Sequence, residues 1–454
     1  MTGRYKAYPE YKDSKSPWFG RIPIDWNISQ LRRSLLDHKQ GYYTTEAYVD
    51  DGIKLLRITD LCGDGLIDFS QCPKVPKKDP TLVNYKLENG DVVFARTGGA
   101  GSFGVVSNIS ENVVFASYLI RFRFCNDSFE ANYLKYVLLA DSFQKAVKQN
   151  VHGGVNQNIH AEDIKGTYLA RPPKEQQQKI ASFLDHETAK IDTLIDKQEK
   201  LIELLKEKRQ AVISHAVTKG LNPDAPMKDS GVEWLGEVPE HWDVGALKYV
   251  VDKEKNSMVD GPFGSSVNTS EDYVDDGIPV VRTVNISNKG FVKDNLMFMR
   301  EEKFRELQRH AVKPNDVLFS KVGTIGNACL LPSDIPEAIL STTGSCKITV
   351  ERTLYLPEFL VWVIQSMNQQ LMLIANSNVQ PFLNMSNIKN LTIPIPCINE
   401  QNEIIESTAP KLTKIDDAIS KSELLNSTLR ERKTALISAA VTGKIDVRDW
   451  GGDF

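Results

Sequence analysis

Two long stretches of the chain carry apolar residues at a seven-residue spacing, and this pattern predicts two long helices. The first stretch, residues 175–218, contains neither Gly nor Pro. A stripe repeated every seven residues needs a partner helix to cover it, and about 44 residues of helix extend for roughly 65 Å. One heptad position carries Leu184, Ile191, Gln198, Leu205 and Val212 in the first stretch and Thr408, Ile415, Ser422, Leu429 and Leu436 in the second, where a neighbouring position adds Ile405, Leu412, Ile419 and Asn426.

The simplest partner for each helix is the other one. Two copies of a unit related by a pseudo-two-fold axis place their helices antiparallel, as an isologous dimer does. Gln198 and Ser422 occupy aligned mid-helix positions, where a polar residue can fix the register of a coiled coil. Pro410 lies near the start of the second helix and is expected to delay or kink it. The alternative is that each helix packs only on its own globular domain.

Short apolar or alternating runs bounded by turn residues predict strands elsewhere in the chain. Helical stretches at residues 131–148 and 355–375 lie between these runs. The pattern therefore predicts a mixed α/β fold. The strand-like runs are residues 53–58, 91–95, 118–124, 280–284, 317–320 and 346–350.

The chain also contains an internal repeat of domain size. Residues 48–53 and 273–278 both read Tyr-Val-Asp-Asp-Gly-Ile, and an Arg follows four residues later in each copy, at Arg57 and Arg282. Further segments match at an offset of about 220 residues, which is too long for a solenoid repeat. We therefore expect two α/β domains and two helices. The predicted segments are 1–170 and 221–396 for the domains, 171–220 for the first helix, and 397–454 for the second helix and a C-terminal tail.

The order of the repeated motifs resembles that of type I restriction–modification DNA specificity subunits, over essentially the whole chain. Each copy opens with Lys-Asp-Ser, Trp-x-Gly and Pro-x-x-Trp, at residues 12–26 and 228–242. A Pro-x-x-Glu-Gln motif leads into each helix, at residues 172–176 and, with one extra residue, at 396–401. Gly-Pro-Phe-Gly-Ser at residues 261–265 is also similar to a segment common in that family, whereas the first copy has Gly-Tyr-Tyr-Thr at 41–44.

This resemblance implies two target-recognition domains that each read one half of a split site in double-stranded DNA, separated by two conserved helices. It implies that the helices dock two methyltransferase subunits, which use S-adenosylmethionine, and that a restriction and translocation subunit in such complexes uses ATP. No cofactor is expected on this chain itself. Reading both half-sites from one side of B-DNA places their centres about one helical turn apart, ~10 bp.

Gly-rich loops that follow a basic residue are the first candidate DNA contacts. Glycine lets the backbone approach a phosphate closely, and a cation beside it can neutralise that phosphate. The alternative is a tight turn that only closes a strand pair. The candidate residues are Arg96, Thr97, Gly98 and Ser102 in the first copy and Ser320, Lys321, Gly323 and Thr324 in the second.

Two further groups of polar side chains are candidates for reading bases. Arg57 and Arg282 follow predicted strands, where an Arg can reach guanine in the major groove. Each could instead form a structural salt bridge, with Asp50 or Asp275 respectively. Amide side chains can read adenine, although a solvent-exposed loop is the alternative for these. The candidate amides are Asn156, Gln157, Asn378 and Gln380.

Charge and composition limit the classes of protein to which this chain can belong. The net charge is −4, with 21 basic and 19 acidic side chains in residues 1–170 and 16 and 22 in residues 221–396. Partner subunits or local patches must therefore supply much of the phosphate neutralisation. The sequence shows no apolar run of membrane-spanning length and no signal peptide, so we expect a prokaryotic cytoplasmic protein. The six cysteines lack metal-site spacing and are interpreted as small buried hydrophobic residues.

The motifs of three enzyme classes are missing from the sequence. Residues 443–445, Gly-Lys-Ile, fail the phosphate-loop pattern, and residues 222–224, Asn-Pro-Asp, lack the Asn-Pro-Pro-aromatic motif of amino-methyltransferases. Phe319 stands where a metal-dependent nuclease would need its second carboxylate. We therefore expect a non-catalytic subunit. A stand-alone duplicated DNA-binding regulator and a protein-interaction scaffold that never touches DNA are the alternatives, and co-purification with a methyltransferase would separate all three.

Overall fold

The contacts within the chain divide it into two compact units. The computed structural model describes residues 5–16, 18–125, 128–153, 157–375 and 381–451. Unit 1 comprises Met1–Gln198 with Leu424–Phe454, and unit 2 comprises Glu199–Glu423. Each unit thus combines one α/β domain with part of each long helix. The division between the two units falls inside both long helices.

The two long helices are α4 (Lys174–Lys219) and α10 (Ile398–Val441), and both units share them. The other helices of unit 1 are α1 (Ala131–Leu139), α2 (Asp141–Gln149) and α3 (Ala161–Lys165). The strands of unit 1 are β1 (Tyr11–Asp13), β2 (Arg21–Pro23), β3 (Asn27–Gln30), β4 (Leu35–Gln40), β5 (Ile53–Leu56), β6 (Lys74–Val75), β7 (Val92–Ala95), β8 (Phe103–Val105), β9 (Val113–Phe115), β10 (Leu119–Phe124) and β11 (Tyr168–Arg171).

Unit 2 contains the remaining elements. Its shorter helices are α5 (Thr269–Asp272), α6 (Glu301–Glu306), α7 (Pro357–Ser366), α8 (Asn368–Ile374) and α9 (Met385–Lys389). Its strands are β12 (Met227–Asp229), β13 (Glu237–Pro239), β14 (Asp243–Ala246), β15 (Met258–Asp260), β16 (Tyr273–Val274), β17 (Ile278–Val281), β18 (Ile286–Ser287), β19 (Gly290–Phe291), β20 (Met297–Met299), β21 (Ala311–Val312), β22 (Val317–Ser320), β23 (Ala328–Leu330), β24 (Ala338–Leu340), β25 (Ser345–Ile348) and β26 (Thr392–Ile395).

The same sheet topology occurs in both units. The central sheet of unit 1 has the order β4-β10-β7-β8, and that of unit 2 has the order β15-β25-β22-β23. Each unit also has a parallel strand pair, β5 with β9 and β17 with β24. Pairing of β3 with β11 and of β14 with β26 brings the start and end of each domain together. The mixed α/β fold and the duplication predicted from the sequence are both confirmed.

The central strands are buried on both faces because they separate two hydrophobic clusters. In β7, Val92 and Phe94 belong to the cluster that also contains the α1 and α4 side chains. Val93 and Ala95 point into a second cluster on the other face. Successive side chains of a strand alternate between faces, so a strand between two clusters becomes a continuous apolar run.

Within each unit the two long helices pack antiparallel. In unit 1, Asp192 of α4 pairs with Lys433 of α10 at 2.6 Å, and Lys179, nearer the start of α4, donates from Nζ at 3.1 Å to the carbonyl of Arg448 in the segment that follows α10. In unit 2, Arg209 pairs with Asp416 at 2.8 Å. The antiparallel coiled coil predicted from the heptads is confirmed. Its buried heptad residues include Leu184, Ile191, Thr408, Leu412, Ile415, Ile419, Ser422, Asn426, Leu429 and Leu436.

Of the two effects expected of Pro410, the delay of the second helix was wrong, and a kink stays a prediction. The helix begins at Ile398 and continues through Pro410. A proline inside a helix leaves the carbonyl of the preceding turn without its N–H donor. Here both Pro410 and Glu406 are exposed, so water can reach that carbonyl and the cost of the missing hydrogen bond is small.

Candidate nucleic-acid interface

The Gly-rich loop of unit 1 follows β7 and returns the chain into β8. The N–H of Arg96 donates to the carbonyl of Tyr118 at 2.8 Å, and the N–H of Ile159 donates to the carbonyl of Arg96 at 2.9 Å. Gly98 and Gly101 have φ values of 75° and 90°, a backbone conformation that glycine adopts at little cost. The loop is therefore a strand-closing turn, and it also contacts the segments that contain Tyr118 and Ile159.

Several chain segments meet at this edge of unit 1. Thr97 donates from Oγ1 to Oδ1 of Asn158 at 2.5 Å. A Cβ built on Gly99 would lie 3.6 Å from Cγ2 of Ile58, which directly follows Arg57. The N–H of Gly41, just after β4, donates to the carbonyl of Leu119 at 3.0 Å. The ends of β4, β5 and β7 thus lie together beside residues 157–159.

An open cleft of about 480 Å³ lies at this edge and contains the side chain of Arg96. Tyr43 and Tyr118, also in its lining, are 71% and 58% exposed. Across the part of unit 1 that the structure describes, the guanidinium of Arg96 makes no hydrogen bond or ion pair. Ser102 and Gly98 are exposed on the same loop. This edge combines a free cation, aromatic rings and accessible backbone.

The equivalent loop of unit 2 has the same backbone hydrogen bonds but different electrostatics. The N–H of Lys321 donates to the carbonyl of Gly344 at 2.8 Å, as Arg96 does to Tyr118. The Lys321 side chain, however, is 5% exposed and pairs with Asp260 at 2.9 Å. Ser320 is fully buried, and its hydroxyl contacts that of Thr324 at 3.1 Å. Gly323 and Thr324 are exposed.

Arg57 and Arg282 both have structural partners. Arg57 donates from Nε and Nη2 to the buried carboxylate of Asp60 at 3.2 and 2.9 Å, and this hydrogen bond raises the pKa of the guanidinium. Arg282 donates from Nη2 to the carbonyl of Asn295 at 2.5 Å. The salt bridges considered from the sequence were therefore assigned the wrong partners, Asp50 and Asp275. The acceptor for Arg57 is Asp60, three residues later, and the acceptor for Arg282 is the carbonyl of Asn295 on an adjoining loop.

Of the amide candidates, only Gln157 lies within the described residues, and its side chain is exposed beside the Gly-rich loop. Asn156, Asn378 and Gln380 lie outside them. Contact of any of these residues with DNA therefore stays a prediction.

Two exposed aromatic residues were missed as candidates in the sequence. Tyr43 in unit 1 and Phe263 in unit 2 are 71% and 74% exposed. They lie two residues after Gly41 and Gly261, which have equivalent positions in the two sheets. The signal that could have identified them was the pair of segments at 41–44 and 261–265, whose letters differ too much to align with certainty.

The cysteines only partly follow the prediction. Cys72, Cys329 and Cys346 are buried, and burial raises the pKa of the Cys346 thiol to about 12. Cys62 and Cys397 are exposed, so the interpretation as buried hydrophobic residues was wrong for these two. Each helix in the described ranges is too short or too polar to span a membrane.

Comparison with known proteins places the chain in a family. The model of the type I restriction modification DNA specificity domain matches residues 75–204 and 239–427, more than half of the chain. The chain is 25% identical over 361 residues to the type I restriction enzyme EcoBI specificity subunit of Escherichia coli, covering 78% of this chain and 72% of that protein. It is 24% identical over 443 residues to the type I restriction enzyme MjaVIII specificity subunit of Methanocaldococcus jannaschii, covering 94% and 95% respectively.

A solved structure shares the fold. This structure is described as showing the structural basis underlying complex assembly and conformational transition of the type I R-M system. The TM-score is 0.70 at 14% sequence identity, over 93% of this chain and 99% of that one. With the family model matching both halves of the duplicated sequence, the chain belongs to the type I restriction–modification DNA specificity family.

Proposed function

We propose that this chain is the DNA-recognition subunit of a type I restriction–modification complex and that its two domains read the two halves of a split site. The observation that carries this proposal is the repeated loop edge. Arg96 and Lys321 have the same backbone hydrogen bonds at the end of equivalent strands in two domains of one chain. Two copies of one reading surface on a single chain fit a site with two parts.

The residues of this edge would divide the work between phosphates and bases. Arg96 is the cation available to a phosphate in unit 1, and Thr97, Gly98 and Ser102 bring backbone and hydroxyl donors beside it. In unit 2, Gly323 and Thr324 remain accessible, whereas Ser320 and Lys321 support the loop from inside. Base reading by Arg57, Arg282 and the amide residues remains part of the proposal.

Two methyltransferase subunits would dock on the long helices. Leu194, Leu424 and Leu425 in unit 1 and Leu201 and Leu204 in unit 2 are exposed on α4 and α10. Exposed apolar residues grouped on a helix are typical of protein interfaces. On this proposal the chain is a non-catalytic cytoplasmic subunit. S-adenosylmethionine belongs to the methyltransferases and ATP to a restriction and translocation subunit.

Methylome sequencing of cells that co-express the chain with its methyltransferase tests the proposal. We expect methylation at a motif with two specified parts and an unspecified gap, with half-site centres about 10 bp apart. A continuous motif would contradict the two-reader arrangement. Failure of the assembled complex to retain DNA would instead support a scaffold that never touches DNA.

A further inference from the structure

Tyr43 and Phe263 occupy the same structural position although their surrounding sequences differ. The N–H of Gly41 donates to the carbonyl of Leu119 at 3.0 Å, and the N–H of Gly261 donates to the carbonyl of Ser345 at 3.1 Å. Leu119 and Ser345 are the first residues of the equivalent strands β10 and β25. Each aromatic residue then follows its glycine by two positions. Both copies of the repeat thus have an aromatic residue at this position, although the residues around it differ.

Each glycine holds the backbone close to a neighbouring segment. A Cβ on Gly41 would lie 2.1 Å from the carbonyl oxygen of Ala116, and one on Gly261 would lie 2.1 Å from that of Thr342. No side chain fits at such distances, so both positions require glycine. The close approach fixes the direction in which the chain leaves the sheet.

The residue between glycine and aromatic ring is anchored, and the aromatic ring is not. Tyr42 donates to the carboxylate of Asp79 at 2.9 Å and packs on Tyr85 with ring centroids 5.5 Å apart. Pro262, at the corresponding position of unit 2, is buried. Tyr43 and Phe263 follow these anchors and are 71% and 74% exposed. The anchored neighbour thus fixes the point on the backbone from which each exposed side chain extends.

The surroundings in unit 1 suit a nucleobase. Tyr43 lines the same cleft as the Arg96 guanidinium and the exposed ring of Tyr118. In duplex DNA an aromatic or apolar side chain contacts a base edge in a groove or wedges between base pairs, and a cation beside it attracts the phosphate backbone. Phe263 has no hydrogen-bonding group, so the contact common to both domains must be apolar.

We infer that Tyr43 and Phe263 are direct base contacts, one in each half-site, which pack an aromatic ring against a base of the bound DNA. This inference rests on the proposed function, since it needs each domain to hold its own half-site. It assigns specificity to residues beside the Gly-rich loops rather than to the loops alone.

The test uses the full chain assembled with its methyltransferase and a duplex that carries the methylated motif. Tyr43→Ala and Phe263→Ala should each weaken binding about tenfold to a hundredfold, the range expected for loss of one base contact in duplex DNA. The salt dependence should keep its slope because no charge is removed. Tyr43→Phe retains the ring and should bind like the unmodified complex. Methylome sequencing should show a degenerate first half-site with one alanine variant and a degenerate second half-site with the other.

Matched controls exist at the opposite ends of the same sheets. Leu36 is 63% exposed at the end of β4 away from Gly41. Tyr249 is 68% exposed near Val251, which bridges to Val350 beyond the end of β25 distant from Gly261. Leu36→Ala and Tyr249→Ala should leave binding unchanged. Thermal unfolding of all variants verifies that each domain is folded.

The outcomes separate the inference from the proposed function. If the unmodified complex methylates a gapped motif but Tyr43→Ala and Phe263→Ala behave like their controls, the inference is overturned and the proposed function stands. If the unmodified complex shows no gapped motif, the proposed function itself fails.

Discussion

At the scale of single residues, one side chain at the end of a strand decides whether the neighbouring cation is free. Gln40 ends β4 and donates to the carbonyl of Ser117 at 3.2 Å, which leaves Arg96 without a carboxylate. Asp260 ends β15 in the same position and pairs with Lys321. The two domains thus share a backbone at this edge but offer different charges to a ligand.

Replacing Arg96 tests the role of the free cation. Arg96→Ala should weaken DNA binding by the assembled complex and reduce the slope of log affinity against log salt by about 1, as loss of one phosphate contact does. Thermal stability should not change, because the side chain supports no other group in the described part of unit 1. Fluorescence anisotropy at several salt concentrations measures the slope. An unchanged slope would mean that Arg96 does not contact a phosphate.

Replacing Lys321 should lower the stability of the fold, in contrast to the replacement of Arg96, which should weaken DNA binding. Lys321→Met removes the partner of Asp260, whose side chain is only 30% exposed, and leaves a partly buried carboxylate uncompensated. We expect the free energy of unfolding to fall by about 1–3 kcal/mol, measured by urea denaturation. Asp260→Asn combined with Lys321→Met should recover much of this loss. A stable single variant with weakened DNA binding would instead show that Lys321 acts as a DNA contact.

At the scale of elements, the long helices carry two equivalent ion pairs. Asp192 pairs with Lys433 in unit 1, and Arg209 pairs with Asp416 in unit 2. Asp192 aligns with Asp416 in the repeat, and Arg209 aligns with Lys433. The antiparallel arrangement therefore places the same acidic position against the same basic position in both units. These ion pairs, together with the apolar stripe, favour one register of the two helices against each other.

A double-mutant cycle measures how much the Asp192–Lys433 ion pair contributes to this register. Asp192→Ala, Lys433→Ala and the double variant should give a coupling energy of about 0.5–1 kcal/mol in chemical unfolding, since the pair is only partly buried. Lys200 and Glu203 form an exposed pair on the same helix, with side chains 62% and 58% exposed. Their cycle serves as control and should give no measurable coupling. Equal coupling in both cycles would argue against a register role.

The bounds of secondary-structure elements were predicted from the sequence better than the partners of individual side chains, because elements follow local patterns and partners depend on the tertiary fold. The first helix was expected within 171–220 and spans Lys174–Lys219, because a heptad stripe is a local pattern. The partner of Arg57 was misassigned because it depends on how the chain turns after β5, although Asp60 follows by only three residues. The position shared by Tyr43 and Phe263 became visible only through backbone pairing at Gly41 and Gly261.

At the scale of the whole molecule, the net charge of −4 opposes tight binding of DNA by the chain alone. Nonspecific affinity for DNA comes mainly from neutralised phosphates and released counterions. We expect the isolated chain to bind the motif duplex at least tenfold more weakly than the chain with its methyltransferases, in anisotropy titrations at equal salt. Equal affinities would favour a stand-alone regulator.

The glycines at positions 41 and 261 also constrain how such a reader can be redesigned. Each tolerates no side chain, since a Cβ would lie 2.1 Å from a carbonyl oxygen. The side chains of Tyr43 and Phe263, by contrast, protrude into solvent and are 71% and 74% exposed. A mutant library aimed at new target sequences should therefore randomise the protruding positions and leave the two glycines fixed. Diversity placed on the glycines would yield mostly misfolded clones.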